Sequence, residues 1–88
     1  MVVVTPEGTP NPNAVKFTLD RPATGKRSET FRAGSDPIDS PLGAQIFTLD
    51  GVTNVFLTAN FVSVTKDADA TWDELLPAIV ERIEAHYA

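Results

Sequence analysis

Val52-Thr53-Asn54-Val55-Phe56-Leu57, followed by Thr58-Ala59-Asn60 and then Phe61-Val62-Ser63-Val64-Thr65-Lys66, is the stretch that decides the fold. Val55, Leu57, Val62 and Val64 recur at the period of two that a half-buried strand requires, which sends Phe56 and Phe61 to the opposite face. The short polar interruption between the two runs reads as a turn, so the pair is expected to be a β-hairpin. Helical spacing flanks it on both sides. Ser40-Pro41 has the signature of an N-cap followed by proline at the first helical position, and Leu42, Ile46 and Leu49 supply an apolar stripe with Phe47 beside it. Gly51 reads as the left-handed residue that ends this helix, predicted over about 41–49. Beyond the hairpin, Thr71 and Glu74 have the spacing of a capping box. Trp72, Leu75, Leu76, Ile79, Val80, Ile83 and Tyr87 then recur at helical intervals. Pro77 falls in the second turn of this helix and predicts a local bend, or a start displaced toward Leu75.

Further out, Val15, Phe17 and Leu19 alternate with Lys16 and Thr18, so a strand begins just after Thr9-Pro10-Asn11-Pro12-Asn13. Val2–Val4 reads as a short strand and Thr5–Asn13 as a loop punctuated by Pro6, Gly8, Pro10 and Pro12. Residues 21–25 form a turn, Ser28–Arg32 a third strand with Phe31 as its main apolar contact, and residues 33–39 a loop. The resulting order is β-β-β-α-β-β-α. Residues 1–88 are expected to form one α+β domain, a two-layer sandwich with a largely antiparallel or mixed sheet and two helices on one face.

Composition narrows the chemistry. The chain has 88 residues, 42% hydrophobic and 22% charged, which is ordinary for a globular domain with a single modest core. It contains no cysteine, which removes disulfides, a thiolate nucleophile and thiolate ligation of soft metals or clusters. The opening Met1-Val2-Val3-Val4 meets Pro6 and Gly8 too soon for a signal peptide or a membrane span, so a cytoplasmic protein without membrane contact is expected. A net charge of −5 argues against nucleic acid as a partner. Residues 45–88 carry only Lys66 and Arg82 against seven carboxylates, whereas residues 1–44 balance five bases with five acids.

Each candidate site has a plain alternative. Pro10 and Pro12 stiffen the loop and hold Asn11 and Asn13 in fixed directions, which suits either a recognition surface or simple capping of the turn. Phe56 and Phe61 project from the face opposite the core and either anchor a partner or lie under another element. Lys16 flanks them if the strand order allows it. Asp67, Asp69, Asp73 and Glu74 gather at the start of the last helix, where a hard cation is conceivable but the helix dipole already favours acidic groups. Arg21, Lys26, Arg27 and Arg32 are the one basic concentration, suited to an acidic partner or to solvating a loop. His86, the sole imidazole, stands near a fraying helix end and makes a poor base.

Four segments together resemble the N-terminal domain of Nfu-type iron-sulfur cluster scaffold proteins. They are Thr9-Pro10-Asn11-Pro12-Asn13-Ala14-Val15-Lys16-Phe17, Ser40-Pro41-Leu42-Gly43-Ala44 with Ile46-Phe47, Gly51–Leu57 continued by Asn60–Lys66, and Trp72-Asp73-Glu74-Leu75 with Pro77. The resemblance implies an α+β fold and a part in maturing or delivering iron-sulfur clusters. In that family the cluster sits on a separate Cys-x-x-Cys domain, so the chain is expected to be a free-standing copy of the N-terminal domain. The resulting expectation is a noncatalytic interaction domain with no cofactor of its own. Its partner would be an iron-sulfur assembly factor or recipient, met through Asn11, Asn13, Lys16, Phe56 and Phe61. The alternative is a small-ligand sensor with a pocket between sheet and helices.

Overall fold

The computed structural model describes residues 2–25, 27–36, 38 and 40–87. Its elements are β1 (Val4–Gly8), β2 (Ala14–Leu19), β3 (Ser28–Arg32), α1 (Pro41–Phe47), β4 (Val52–Thr58), β5 (Phe61–Lys66) and α2 (Trp72–His86), the order expected from sequence. All strand pairings are antiparallel, in one sheet ordered β1-β2-β5-β4-β3. The β4–β5 hairpin thus occupies the middle of the sheet, with β2 and β3 on either side of it.

The period-two pattern fixes which way the sheet faces. Phe17 and Leu19 of β2, Phe31 of β3, Val52, Val55 and Leu57 of β4, and Val62 and Val64 of β5 are buried in one cluster with Leu42, Ile46, Leu75, Ile79 and Ile83 from the helices. Both helices therefore cover the same face. Burying such a side chain contributes about 1.5–3 kcal/mol, so this layer is the main source of stability.

Three local expectations are corrected. The first strand lies at Val4–Gly8, not Val2–Val4, because the register Val4↔Leu19 through Gly8↔Val15 draws Thr5–Gly8 into the sheet. Pro6 is tolerated there because β1 is an edge strand. Val2 contributes burial instead, at 4% exposure, and the loop shrinks to Thr9–Asn13. α1 ends at Phe47 with Thr48 as its C-cap, so Gly51 is not the cap. Gly51 instead has φ +95° at the entry to β4, and a Cβ there would lie 2.6 Å from the Ala70 Cβ. Finally, Thr71 is the N-cap of α2 but its side chain makes no capping bond, and the helix runs from Trp72 through Pro77 without a displaced start.

Close approach at α1 depends on small residues. Ser40 is fully buried and its Oγ accepts the Gly43 amide at 3.3 Å. A Cβ on Gly43 would meet that Oγ at 2.6 Å and the Phe31 Cβ at 2.8 Å, so glycine lets the helix start settle against β3.

Candidate functional site

The face of the sheet away from the helices is built from the alternate residues of the same strands. Read across the registers, its middle row is Glu7, Lys16, Ser63, Phe56 and Thr30, and the row nearer the β4–β5 turn is Thr5, Thr18, Phe61, Thr58 and Ser28. Phe56 and Phe61 are diagonal neighbours, both half-buried. Lys16 lies between them and β1, with its Nζ 4.5 Å from the centroid of the Phe61 ring. A cation over an aromatic face at such a site contributes about 0.5–1 kcal/mol. Glu7, directly across from Lys16, accepts a hydrogen bond from the Thr18 hydroxyl. The result is an apolar and hydroxyl-rich surface with one ammonium at its centre, and no described helix covers it.

A third row, Ala14, Thr65, Asn54 and Arg32, carries an irregularity. The β4–β5 register shifts between Val52 and Asn54, which lets Val52 and Val55 both face the core. The Asn54 side-chain oxygen is buried there without a hydrogen-bond partner.

Asn11 and Asn13 do not join this face. Asn11 Oδ1 accepts the Asn13 amide at 2.9 Å, while Asn13 Oδ1 accepts from Lys66 Nζ at 3.1 Å and its carbonyl accepts the Lys66 amide at 2.7 Å. Trp72 Nε1 donates to the Pro12 carbonyl at 3.0 Å, so α2 pins the loop from outside the sheet. The Asn11 side-chain oxygen is used within the turn, and that of Asn13 ties the loop to Lys66 at the end of β5. The loop lies at the start of β2, whereas Phe61 pairs with Thr18 near the other end of that strand.

The charged candidates separate. Arg21 pairs with Asp20 at 2.9 Å and lies 5.7 Å from the Tyr87 ring centroid. That guanidinium, helped by the Val3 backbone amide, holds the Asp20 carboxyl below the usual carboxylate range. Tyr87 is pushed up, first by burial and then by the charge of Glu29. Arg27 precedes β3 and Arg32 ends it, and Lys26 lies outside the described residues, as do Pro37 and Asp39 of the loop before α1. Asp67 Oδ1 accepts the Asp69 amide at 3.2 Å, and among the described residues no three acidic, histidine or cysteine side chains converge as metal ligands. His86 packs edge-on against Tyr87 with centroids 5.0 Å apart.

Two features escaped the sequence. Arg82 of α2 donates to the Gln45 carbonyl at 3.0 Å and to Thr48 Oγ1 at 2.7 Å, placing a cation at the C-terminal end of α1. Phe31, Ala44, Gln45, Phe47 and Thr48 line a groove of about 400 Å³ at the β3 margin. The signal for it was Phe47, which stands off the stripe of Leu42 and Ile46. Further concavities, near Pro22, Glu29 and Tyr87 and near Leu19 and Asn60, also lie at the rim. Between sheet and helices, where the alternative reading placed a sensor pocket, Phe17, Ile46, Val55, Ile79 and Ile83 are packed to full burial. Among the described residues no helix is long and apolar enough to cross a membrane.

Residues 4–88 match the family model described as scaffold protein Nfu/NifU N terminal. The chain is 38% identical over 82 residues to NifU-like protein 5, mitochondrial, of Arabidopsis thaliana, covering 93% of this chain and 30% of that protein. It is 35% identical to the human NFU1 iron-sulfur cluster scaffold homolog, mitochondrial, covering 93% and 33% respectively. The chain thus spans about a third of the length of these relatives. Among solved structures it is similar to Staphylococcus aureus protein SAV1430, with TM-score 0.78 and 30% identity over 91% of this chain and 96% of that one.

Proposed function

Because this chain belongs to the Nfu/NifU N-terminal family of scaffold proteins, we propose that it serves iron-sulfur cluster assembly or transfer as a noncatalytic contact domain. The cluster is cargo held by another protein, and the chain docks that assembly factor or a cluster recipient. Thiolate ligation is unavailable within these 88 residues, which contain no cysteine. The working unit is residues 1–88 taken together, a reading supported by the single continuous core to which both helices and four of the five strands contribute buried residues.

One observation carries the proposal. Lys16, Phe56 and Phe61 share the sheet face that the helices leave open, and the ammonium rests on an aromatic ring. Aromatic side chains supply large contact area at low entropic cost, and a lysine beside them favours a partner that brings a carboxylate next to its apolar residue. Asn11 and Asn13 are a secondary contact, offering the fixed outline of their loop.

The test is capture of partners from native cells with the intact chain, with Phe56→Ala and with Lys16→Glu, followed by identification and quantification of the captured proteins. The proposal expects cluster-assembly or cluster-dependent proteins with the parent chain, reduced about tenfold or more by either substitution, as expected when an interface anchor is lost. Recovery of none of these proteins, or equal recovery with all three baits, would overturn it.

A further inference from the structure

We propose that the outer edge of β3 and the adjoining groove form a strand-addition site for an extended apolar segment of a partner protein flanked by carboxylates. This edge adjoins the open face at Ser28, Thr30 and Arg32, but the inference does not depend on what that face binds.

Among the described residues β3 pairs only with β4, so one side of its backbone has no described neighbouring strand. The bonds at its two ends tell which groups lie on that side. The Arg27 carbonyl accepts from Thr58 Oγ1 on β4 at 2.9 Å, whereas the amide and carbonyl of Arg32 engage Ser35 beyond the strand, at 3.1 and 3.0 Å. In an antiparallel strand, successive residues turn their amide and carbonyl to opposite sides. Residues 27, 29 and 31 therefore face β4, and Ser28 and Thr30 present their backbone groups outward.

The groove lies where an added strand would need it. Phe31 points to the helix side, and Phe47 of α1 meets it edge-on with ring centroids 5.3 Å apart while staying half-exposed. With Ala44 these rings wall the groove, and Gln45 and Thr48 complete its lining. An incoming strand alternates its side chains, so every second one would enter the groove and the others would lie beside Ser28, Thr30 and Arg32.

Charge selects the occupant. Arg27 and Arg32 are exposed at the two ends of β3, and the ion pair among the described residues is Asp20 with Arg21. Carboxylates at both ends of the added segment would meet them. A second copy of this chain fits poorly, because Arg27, Glu29 and Arg32 leave the edge with net positive charge, which a second identical edge would only repeat. The opposite edge, β1, carries Pro6 at its centre and Glu7, and suits neither strand addition nor this charge pattern.

The test uses the isotope-labelled chain titrated with an acetylated, amidated peptide of sequence Glu-Val-Leu-Val-Ala-Glu, whose end carboxylates fall on opposite faces of an extended strand, as Arg27 and Arg32 do. Controls are the same peptide N-methylated at the leucine or at both valines, and the version with lysine in place of glutamate. Expected are saturable amide shifts at Ser28, Thr30, Arg32 and Phe47, with affinity reduced about tenfold or more by one of the N-methylations and by the lysine version. Thr30→Pro, which removes an outward amide and no ladder bond, and Arg32→Glu should each weaken binding by a similar factor. If Thr30→Pro does not fold, Phe47→Ala replaces it and carries the same expectation. Absence of saturable binding, indifference to N-methylation, shifts centred on Lys16 and Phe61, or concentration-dependent dimerisation that shifts the β3 amides would each overturn the proposal.

Discussion

Lys16 takes its orientation from its neighbours. Glu7 is directly across the strand pair but accepts from Thr18, and the ammonium settles over Phe61. The alternation around Val15 and Val62 was enough to place Lys16, Phe56 and Phe61 off the core, because period two leaves no other choice. Asn11 and Asn13 were harder to read, since their oxygens are used by partners as distant in sequence as Lys66. Strain is confined to one non-glycine residue among those described: Ala59 has φ +49° at the β4–β5 turn. Its carbonyl accepts the Ala23 amide at 2.8 Å, and the adjacent Asn60 carbonyl accepts the Leu19 amide at 2.7 Å, which holds the turn in place. Relieving a left-handed alanine offsets the extra freedom of glycine in the unfolded chain, so Ala59→Gly should stabilise by up to about 1 kcal/mol in urea unfolding. Destabilisation would contradict this account of the turn. Asp20 gives the residue-scale pH prediction. Its folded pKa is lowered, chiefly by Arg21, so the stabilisation is present above the unfolded carboxylate pKa and is lost as pH falls through the folded value. Arg21→Ala should return the Asp20 titration toward the ordinary carboxylate value, observable by side-chain carboxyl NMR, and should flatten that acid limb of stability.

At the scale of elements, α2, β4 and β5 were legible almost residue by residue because each carries a long periodic pattern. β1 was not, because Thr5-Pro6-Glu7-Gly8 has turn composition and becomes a strand only through its register against β2. Tertiary pairing overrides local propensity there. The same holds for the capping box: Thr71 and Glu74 have the spacing, but the threonine hydroxyl makes no capping bond. Pro77 shows the reverse, a strong breaker absorbed inside a continuous helix of 15 residues. Its missing amide would have bonded to the Asp73 carbonyl, and Leu75, Ile79 and Ile83 keep the helix in place by burial on the sheet. Pro77 is exposed, so Pro77→Ala should raise stability, by up to about 3 kcal/mol, read from the urea midpoint at constant slope. A lower midpoint would show that the proline fixes a geometry the alanine helix does not keep.

For the whole molecule, the two described helices cover one face of the sheet and leave the other open. The count of strands and helices followed from sequence, but the order β1-β2-β5-β4-β3 did not, because long-range pairing is not encoded in the spacing of any one segment. That order makes the candidate face, since it brings Lys16 of β2 beside Phe61 of β5 and sets Phe56 of β4 diagonally across. It also leaves β3 at the margin next to Phe47, which no alternation pattern could show. The most direct test of the docking role is an NMR footprint on the labelled chain of the assembly or recipient protein recovered by capture. The account predicts that amides of Lys16, Phe56, Phe61 and Ser63 shift together on binding. A footprint on the outer surfaces of α1 and α2, with those four amides unchanged, would contradict it.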